Sequence, residues 1–199
     1  MMKSKGHIIL FVGPTCVGKT TLINELRARH FLNSGVIVSV TTRNQRKGEV
    51  NGADYQFVTE ENFLSSLKDG DFYEAVKSPE GIYYGSSKKQ VHELLESHEA
   101  VFGALDIEGC KKVKALEPDA LVFFLYPSNM ADLEKRLRAR GDLPEEKIQI
   151  RLQRAREEMK HKDEFDGSIE NVQGEFEKTI NKAVFRLNES GIVPQLQGN

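Results

Sequence analysis

Tryptophan is absent from this chain, and cysteine nearly so: the 199 residues hold two, Cys16 and Cys110. They stand in no CxxC or metal-ligand spacing, so both read as free thiols in a reducing compartment. No excess of one charge exists either. Lys plus Arg total 28 against 30 Asp plus Glu, a net charge of −2, which gives no bulk attraction to nucleic acid or to an anionic membrane; any anion site must be local. Long apolar runs are missing too. After Met1 to Gly6 the chain enters a stretch of about six apolar residues, too short for a secretory h-region or a membrane span, and a cytoplasmic location is expected. Internal repeats and low-complexity tracts are lacking.

The rest is ordinary globular composition, 39% hydrophobic and 29% charged. The length suits one α/β domain with its own core and leaves little for a second.

His7-Ile-Ile-Leu-Phe-Val12 is a continuous apolar run between glycines, the pattern of a strand buried on both faces of a parallel sheet. A glycine-rich turn follows, then Leu22, Ile23 and Leu26 at helical spacing. Further buried strands are expected at Val36 to Val40, Ala100 to Ile107 and Ala120 to Tyr126, with helical patterns at Val91 to Leu95 and through Met130, Leu133 and Leu137. Strands alternating with helices predict a three-layer α/β fold around a central parallel sheet. From Arg43 to Tyr84 short aromatic strands (Tyr55-Gln-Phe57, Phe72-Tyr73, Tyr83-Tyr84) and glycines break the rhythm, so a small β-rich insertion is expected there. Ser87 and Gln90 predict a capping box for the returning helix. Phe176, Ile180, Val184 and Leu187 mark a last amphipathic helix before a short polar tail.

Gly13-Pro14-Thr15-Cys16-Val17-Gly18-Lys19-Thr20 matches G-x-x-x-x-G-K-[ST] between an expected strand and an expected helix, the context that this phosphate loop requires. Chance would place such a match in on the order of 1% of chains this long. Backbone N–H groups of the loop and the helix N-terminus favour phosphate oxygens. Lys19 would meet the β- and γ-phosphates of ATP, Thr20 would hold Mg²⁺, and Thr21 completes the stretch taken as ATP-binding. Cys16 reads as a small filler within the loop.

The same loop serves GTPases, motor ATPases and kinases, so the reaction has to be read elsewhere. Arg43, Arg46 and Tyr55 lie just beyond an expected strand end, where α/β sheets bind ligands, and arginine forks match phosphate geometry. Here the chain resembles guanylate kinases. The resemblance is carried by Ser39-Val-Thr-Thr-Arg43-x-x-Arg46-x-Gly48-Glu49, Tyr55, Phe72-Tyr-Glu74, Tyr83-Tyr84-Gly85-Ser86, Leu105-Asp106-Ile-Glu108, Arg136-Leu-x-x-Arg140-Gly141 and Ile148-x-x-Arg151, in family order over about Ile8 to Leu187.

That resemblance implies a P-loop NTPase fold with a nucleoside-monophosphate-binding insertion (39–86) and a helical lid (136–162) on a core of 7–38, 87–135 and 163–190. It implies transfer of phosphate from ATP, with Mg²⁺, to GMP. Arg43, Arg46, Tyr55 and Tyr84 would hold the GMP phosphate, and Ser39, Glu74, Ser86 and Glu108 would surround the guanine. Guanine offers N1–H and its 2-amino group as adjacent donors, which a carboxylate such as Glu74 accepts and adenine cannot supply. Asp106 resembles the acidic residue near the Mg²⁺–phosphate centre; the alternative for it is a helix N-cap near Gly109. Asn171 resembles the family residue near the adenine of ATP.

Between Arg136 and Lys162 stand nine basic and five acidic residues, helical in pattern apart from Gly141-Asp-Leu-Pro144. The resemblance makes Arg136, Arg140 and Arg151 a clamp on the migrating phosphoryl, whereas Arg138, Arg154 and Arg156 read as solvated helix charges. Three departures from the family pattern stand out. Gln45 replaces a usual proline, Pro79 to Gly81 carry an extra residue, and about two residues are missing between Glu108 and Gly109. Two other readings remain open: a related kinase of another phosphorylated acceptor, against which Ser39 and Glu74 argue, and a silent protein-binding module, against which intact Lys19 and Thr20 argue. The substrates are small molecules, and a monomer or small homo-oligomer is expected.

Overall fold

The computed structural model describes residues 6–78, 80–139, 141 and 143–192. The chain runs β1 (His7–Val12), α1 (Lys19–Ala28), β2 (Ser34–Val36), β3 (Val40–Thr41), β4 (Gln56–Phe57), α2 (Glu60–Lys68), β5 (Phe72–Lys77), β6 (Tyr83–Ser87) and α3 (Lys88–Ser97). It continues through β7 (Ala100–Ala104), α4 (Ile107–Leu116), β8 (Leu121–Pro127), α5 (Met130–Ala139), α6 (Glu145–Glu158), β9 (Gly167–Asn171) and α7 (Phe176–Glu189).

Five parallel strands form the central sheet in the order β2-β7-β1-β8-β9. The alternation of β1 explains the layering. Ile9 and Phe11 pack with Leu22, Leu26, Leu133, Ile180 and Leu187 on one face, while Ile8, Leu10 and Val12 pack with Val91, Leu95 and Val113 on the other. A strand whose two faces are both covered has no polar side, which is why its sequence is one apolar run. The α/β three-layer fold expected from the sequence is the fold observed.

The second sheet, in the order β4-β3-β6-β5, belongs to the insertion. It also contains a helix the sequence reading did not include: α2, capped by Thr59, whose Oγ1 accepts from Asn62 N at 3.2 Å. Its buried Phe63 stacks on Phe72 at 4.6 Å and lies 5.3 Å from Tyr83. The insertion's aromatics thus build a small core of their own.

Several expected elements are corrected. The run Val36 to Val40 is not one strand. Ile37 N still donates to Phe102 O at 2.8 Å in the central sheet, Val38 N donates to Gln90 Oε1 at 2.9 Å, and Val40 begins the insertion sheet. That bond also halves the capping box: Ser87 accepts from Gln90 N, but the Gln90 side chain is turned to Val38. The strand from Ala100 ends at Ala104 rather than Ile107, because Asp106 already caps α4. Strand β9 was not expected at all.

The basic segment 136–162 is helical as expected, with a break before Pro144, which occupies the cap of α6. Ile148, Leu152 and Ala155 are buried at helical spacing and join the core with Leu133 and Leu137. Exposing Ile148 or Leu152 would cost about 1.5–3 kcal/mol each, so in this conformation α6 is seated on the body.

Candidate functional site

The phosphate loop joins β1 to α1 at the carboxyl end of the sheet, where open α/β sheets hold ligands. Two of its positions admit only glycine. Gly13 has φ +135°, and a Cβ there would stand 2.0 Å from Leu125 O; Gly18 has φ +105°, and its Cβ would stand 2.6 Å from Asn171 Nδ2. The side chain of Lys19 folds back over the loop, donating to Gly13 O at 2.6 Å and Pro14 O at 3.1 Å. Burial pushes its pKa down, with Glu158 the foremost opposing charge. Thr20 and Thr21 are exposed on the first turn of α1, and Thr15 is exposed in the loop. Cys16, half-buried at φ +65°, packs against the core.

A cavity of about 240 Å³ opens on one side of the loop, lined by Gly13, Thr15, Lys19, Asp106, Arg154 and Glu158. Asp106 is the N-cap of α4, its Oδ1 accepting from Gly109 N at 2.8 Å, the alternative the sequence offered, and it also lines this cavity. Arg154 is exposed, as the sequence reading of a solvated charge expects. It also lines this cavity, with its Nε on Glu158 Oε1 at 2.9 Å. The signal was present: Arg154 follows Arg151 by three positions on one helix and precedes Glu158 by four.

A second cavity of about 280 Å³ lies against Cys16, Gly18, Thr21, Arg136, Asn171 and Phe176. Its polar wall is a network. Asn171, at the end of β9, is buried, donates from Nδ2 to Val17 O at 2.7 Å and accepts from Thr179 Oγ1 at 3.2 Å. Arg136 converges on the same place, donating to Val17 O at 3.2 Å, Asn171 O at 3.4 Å and Gln173 Oε1 at 2.8 Å. Thr179 and Gln173 were not anticipated.

The insertion brings the other expected residues together. Arg43 donates through Nη2 to Glu49 Oε1 at 2.7 Å and through Nη1 to Glu49 Oε2 at 3.0 Å. Its Cζ lies 5.2 Å from the Tyr55 ring centroid and 5.5 Å from that of Phe57. The Glu49 bond raises the Arg43 pKa and holds the Glu49 carboxyl below its ordinary range. Tyr84 meets Tyr55 edge-on at 6.1 Å. Arg46 is exposed, and its backbone N–H donates to Glu49 Oε2 at 2.8 Å.

Glu74 on β5 is 7% exposed and accepts from Ser86 Oγ on β6 at 2.8 Å. Burial is the main cause that pushes its pKa up; the Ser86 bond opposes it and Asp106 reinforces it. Gly109 sits directly against it: a Cβ there would lie 3.2 Å from Glu74 Cγ and 3.1 Å from Asp106 Oδ1. Residues 108–109, read from the sequence as a shortened turn, lie within the first turn of α4, and Gly109 lets that turn approach the Glu74 side chain. Ser39 is half-buried and accepts at its carbonyl from Gln56 N at 2.9 Å. Glu108 is exposed on the first turn of α4. Arg151 is half-buried on α6, near enough for its charge to act on Glu80. Arg140 lies outside the described residues.

The far end of the sheet holds a cavity of about 490 Å³, lined in part by His7, Lys114, Glu117 and Asp166. Its lysine is already neutralised, since Lys114 Nζ donates to Asp166 at 2.7 Å and to Ala120 O at 2.8 Å. The loop side therefore holds the stronger candidate.

The family model described as guanylate kinase matches residues 5–188. A guanylate kinase of Trichormus variabilis is 40% identical over 177 residues, 89% of this chain and 87% of that protein. Among solved structures, the guanylate kinase from Anaplasma phagocytophilum superposes with a TM-score of 0.72 at 28% identity, covering 95% of this chain and 88% of that one. The shikimate kinase from Bacteroides thetaiotaomicron shares the fold alone, at a TM-score of 0.52 and 14% identity over 92% and 98% of the two chains.

Proposed function

The chain belongs to the guanylate kinase family, and from that membership we propose that it phosphorylates GMP to GDP at the expense of ATP through the two sites described above. The observation that carries the choice of acceptor is the pairing, in one insertion, of the Arg43 guanidinium with the buried Glu74–Ser86 pair. The first suits a phosphate. The second is a carboxylate withdrawn from water, which a base with two adjacent N–H donors satisfies and adenine leaves unpaired.

In the reaction an oxygen of the GMP phosphate bonds to the γ-phosphorus of ATP as the bond from that phosphorus to the β,γ-bridging oxygen breaks, releasing ADP. The attacking oxygen is already anionic, so little base catalysis is needed and the work lies in alignment and neutralisation. The loop N–H groups and Lys19 hold the donor phosphates. Arg43, Arg46, Tyr55 and Tyr84 hold the acceptor phosphate, and Ser39, Glu74, Ser86 and Glu108 the guanine. Arg136, Arg140 and Arg151 close over the migrating group and exclude water.

The residues present also suit Mg²⁺. Thr20 and Asp106 offer hard oxygen donors at the loop, and no group of three or more His, Cys, Asp or Glu fit to hold a metal occurs among the described residues. An ion bound chiefly through phosphates and water, with one or two protein oxygens, is the usual Mg²⁺ arrangement. Thr20, with Asp106 nearby, would hold such an ion, which would supply charge neutralisation for the phosphates in transfer.

No helix among the described residues is long and apolar enough to cross a membrane. We propose a cytoplasmic role in purine nucleotide metabolism on small-molecule substrates, as a monomer or small homo-oligomer. A coupled assay of ATP with GMP, dGMP, AMP, CMP and UMP tests the reading. GMP should be turned over fastest with dGMP next, and equal rates across the five, or none, would overturn it.

A further inference from the structure

We infer that Glu49 is a positioning residue for the acceptor phosphate: by occupying one edge of the Arg43 guanidinium it presents the other edge to GMP. The inference rests on the assignment of Arg43 to that phosphate.

A guanidinium carries five N–H hydrogens in two bidentate forks, an end-on fork of Nη1 with Nη2 and a side-on fork of Nε with Nη2. Glu49 takes the end-on fork, through Nη2 to Oε1 at 2.7 Å and Nη1 to Oε2 at 3.0 Å. The second Nη1 hydrogen goes to Asn44 O at 2.8 Å. These bonds leave Nε–H and one Nη2–H outside the Glu49 pair; Tyr84 also bonds to the guanidinium, and a phosphate can meet this side-on edge together with the Tyr84 hydroxyl, which the proposed function assigns to the same phosphate. A carboxylate that merely competed with substrate would be expected on the fork substrate needs; here a phosphate can be bound without displacing it.

The geometry is held in two directions. The rings of Tyr55 and Phe57, 5.2 and 5.5 Å from Cζ, fix the guanidinium plane. Glu49 fixes rotation within that plane, and is itself held by Arg46 N–H on Oε2 at 2.8 Å and by the turn in which Glu49 N donates to Arg46 O at 3.2 Å. Glutamine cannot replace it. It offers one carbonyl oxygen, and its NH₂ would face the arginine's own hydrogens.

Steady-state kinetics with each substrate varied in turn would test this, with thermal melts as the check on folding. Glu49→Ala and Glu49→Gln should raise KM for GMP about tenfold, the size of a direct pairwise coupling, while kcat and KM for ATP change less than about twofold on the same scale. Glu49→Asp, which keeps the charge, should recover part of the loss and serves if the other variants do not fold. Because Glu49 acts through Arg43, the double variant Arg43→Ala/Glu49→Ala should bind GMP no worse than Arg43→Ala alone. Additive losses in the double variant, or an unchanged or lowered KM for GMP in Glu49→Gln while Arg43→Ala raises it, would overturn the inference and leave the acceptor site standing. An unchanged KM for GMP in Arg43→Ala would instead overturn the acceptor-site assignment itself.

Discussion

Asn171 and Val17 stand 154 positions apart in the chain and are joined by a hydrogen bond of 2.7 Å, from the Asn171 amide to the Val17 carbonyl in the middle of the phosphate loop. Thr179 orients that amide from the other side, and Gly18 makes room for it. A loop that must direct its N–H groups inward leaves carbonyls pointing outward, and this bond satisfies one of them where water is excluded. Resemblance places Asn171 near adenine; in the structure its side chain also braces the loop.

Replacing Asn171 with Ala should remove one of two donors to the Val17 carbonyl, Arg136 remaining, and cost about 0.5–1.5 kcal/mol of stability, lowering Tm by about 2–4 °C per kcal/mol for a chain of this size. KM for ATP should rise with it. A melt and an ATP titration that both match the parent protein would refute the bracing role.

Lys19→Ala should reduce turnover by about 10²-fold or more, the scale on which single transition-state donors act. The fold should persist, because the Lys19 side-chain amine bonds only carbonyls of its own loop, Gly13 and Pro14. Circular dichroism and the coupled assay separate the two effects, and near-parental turnover would remove Lys19 from the reaction.

Glu74→Gln should narrow the preference for GMP over AMP by about 10²-fold or more, since sites built around a buried hydrogen-bonding partner discriminate by 10⁴–10⁵. The ratio of kcat/KM for the two nucleotides is the measurement; an unchanged ratio would clear Glu74 of base selection.

Acid should weaken GMP binding through the same residue. Burial holds the Glu74 carboxyl above the usual carboxylate range, so it gains its proton at a higher pH than a solvated glutamate. The protonated form cannot accept from both guanine donors, and KM for GMP should climb as pH falls through that raised value. Fold stability moves the opposite way in this window: the folded state binds the proton more tightly than the unfolded one, so protonation of Glu74 favours the fold. The phosphate of GMP, with its second ionisation near about 6, contributes its own slope. Glu74→Gln keeps the phosphate slope and should lose the remainder; identical profiles for the two proteins would contradict the assignment.

Arg154→Ala should lower kcat several-fold at unchanged Tm. Its pair with Glu158 is a partly exposed i,i+4 contact, a kind that contributes little stability, whereas its place on the wall of the Lys19 cavity exposes it to the transferring charge. Parental kcat would leave Arg154 a solvated charge with no part in the transfer.

Much of this site is legible without coordinates because its chemistry is local. Gly13, Gly18, Lys19 and Thr20 lie within eight positions, and their backbone requirements follow from spacing alone. The guanylate kinase resemblance likewise picks out Arg43, Tyr55, Glu74 and Tyr84 as candidates by their neighbours in the chain. Strand β9 was harder to see: Gly167, Ser168 and Glu170 interrupt its apolar pattern, and only Ile169 and Asn171 are buried. The apolar run Val36 to Val40 could not show that it passes from one sheet to another, since periodicity reports burial and not the partner.

The amino-acid sequence determined the three-layer α/β fold, the nucleotide loop and the membership of an insertion rich in arginine and aromatic residues, because hydrophobic period and glycine spacing act over a few residues. The tertiary structure decided which distant groups meet: Gly109 against Glu74, Asn171 and Arg136 on Val17, and Arg154 on the wall of the Lys19 cavity. Those juxtapositions depend on how β5, α4, α6 and β9 pack onto a sheet, and packing partners far apart in the chain leave no mark in the spacing of either one.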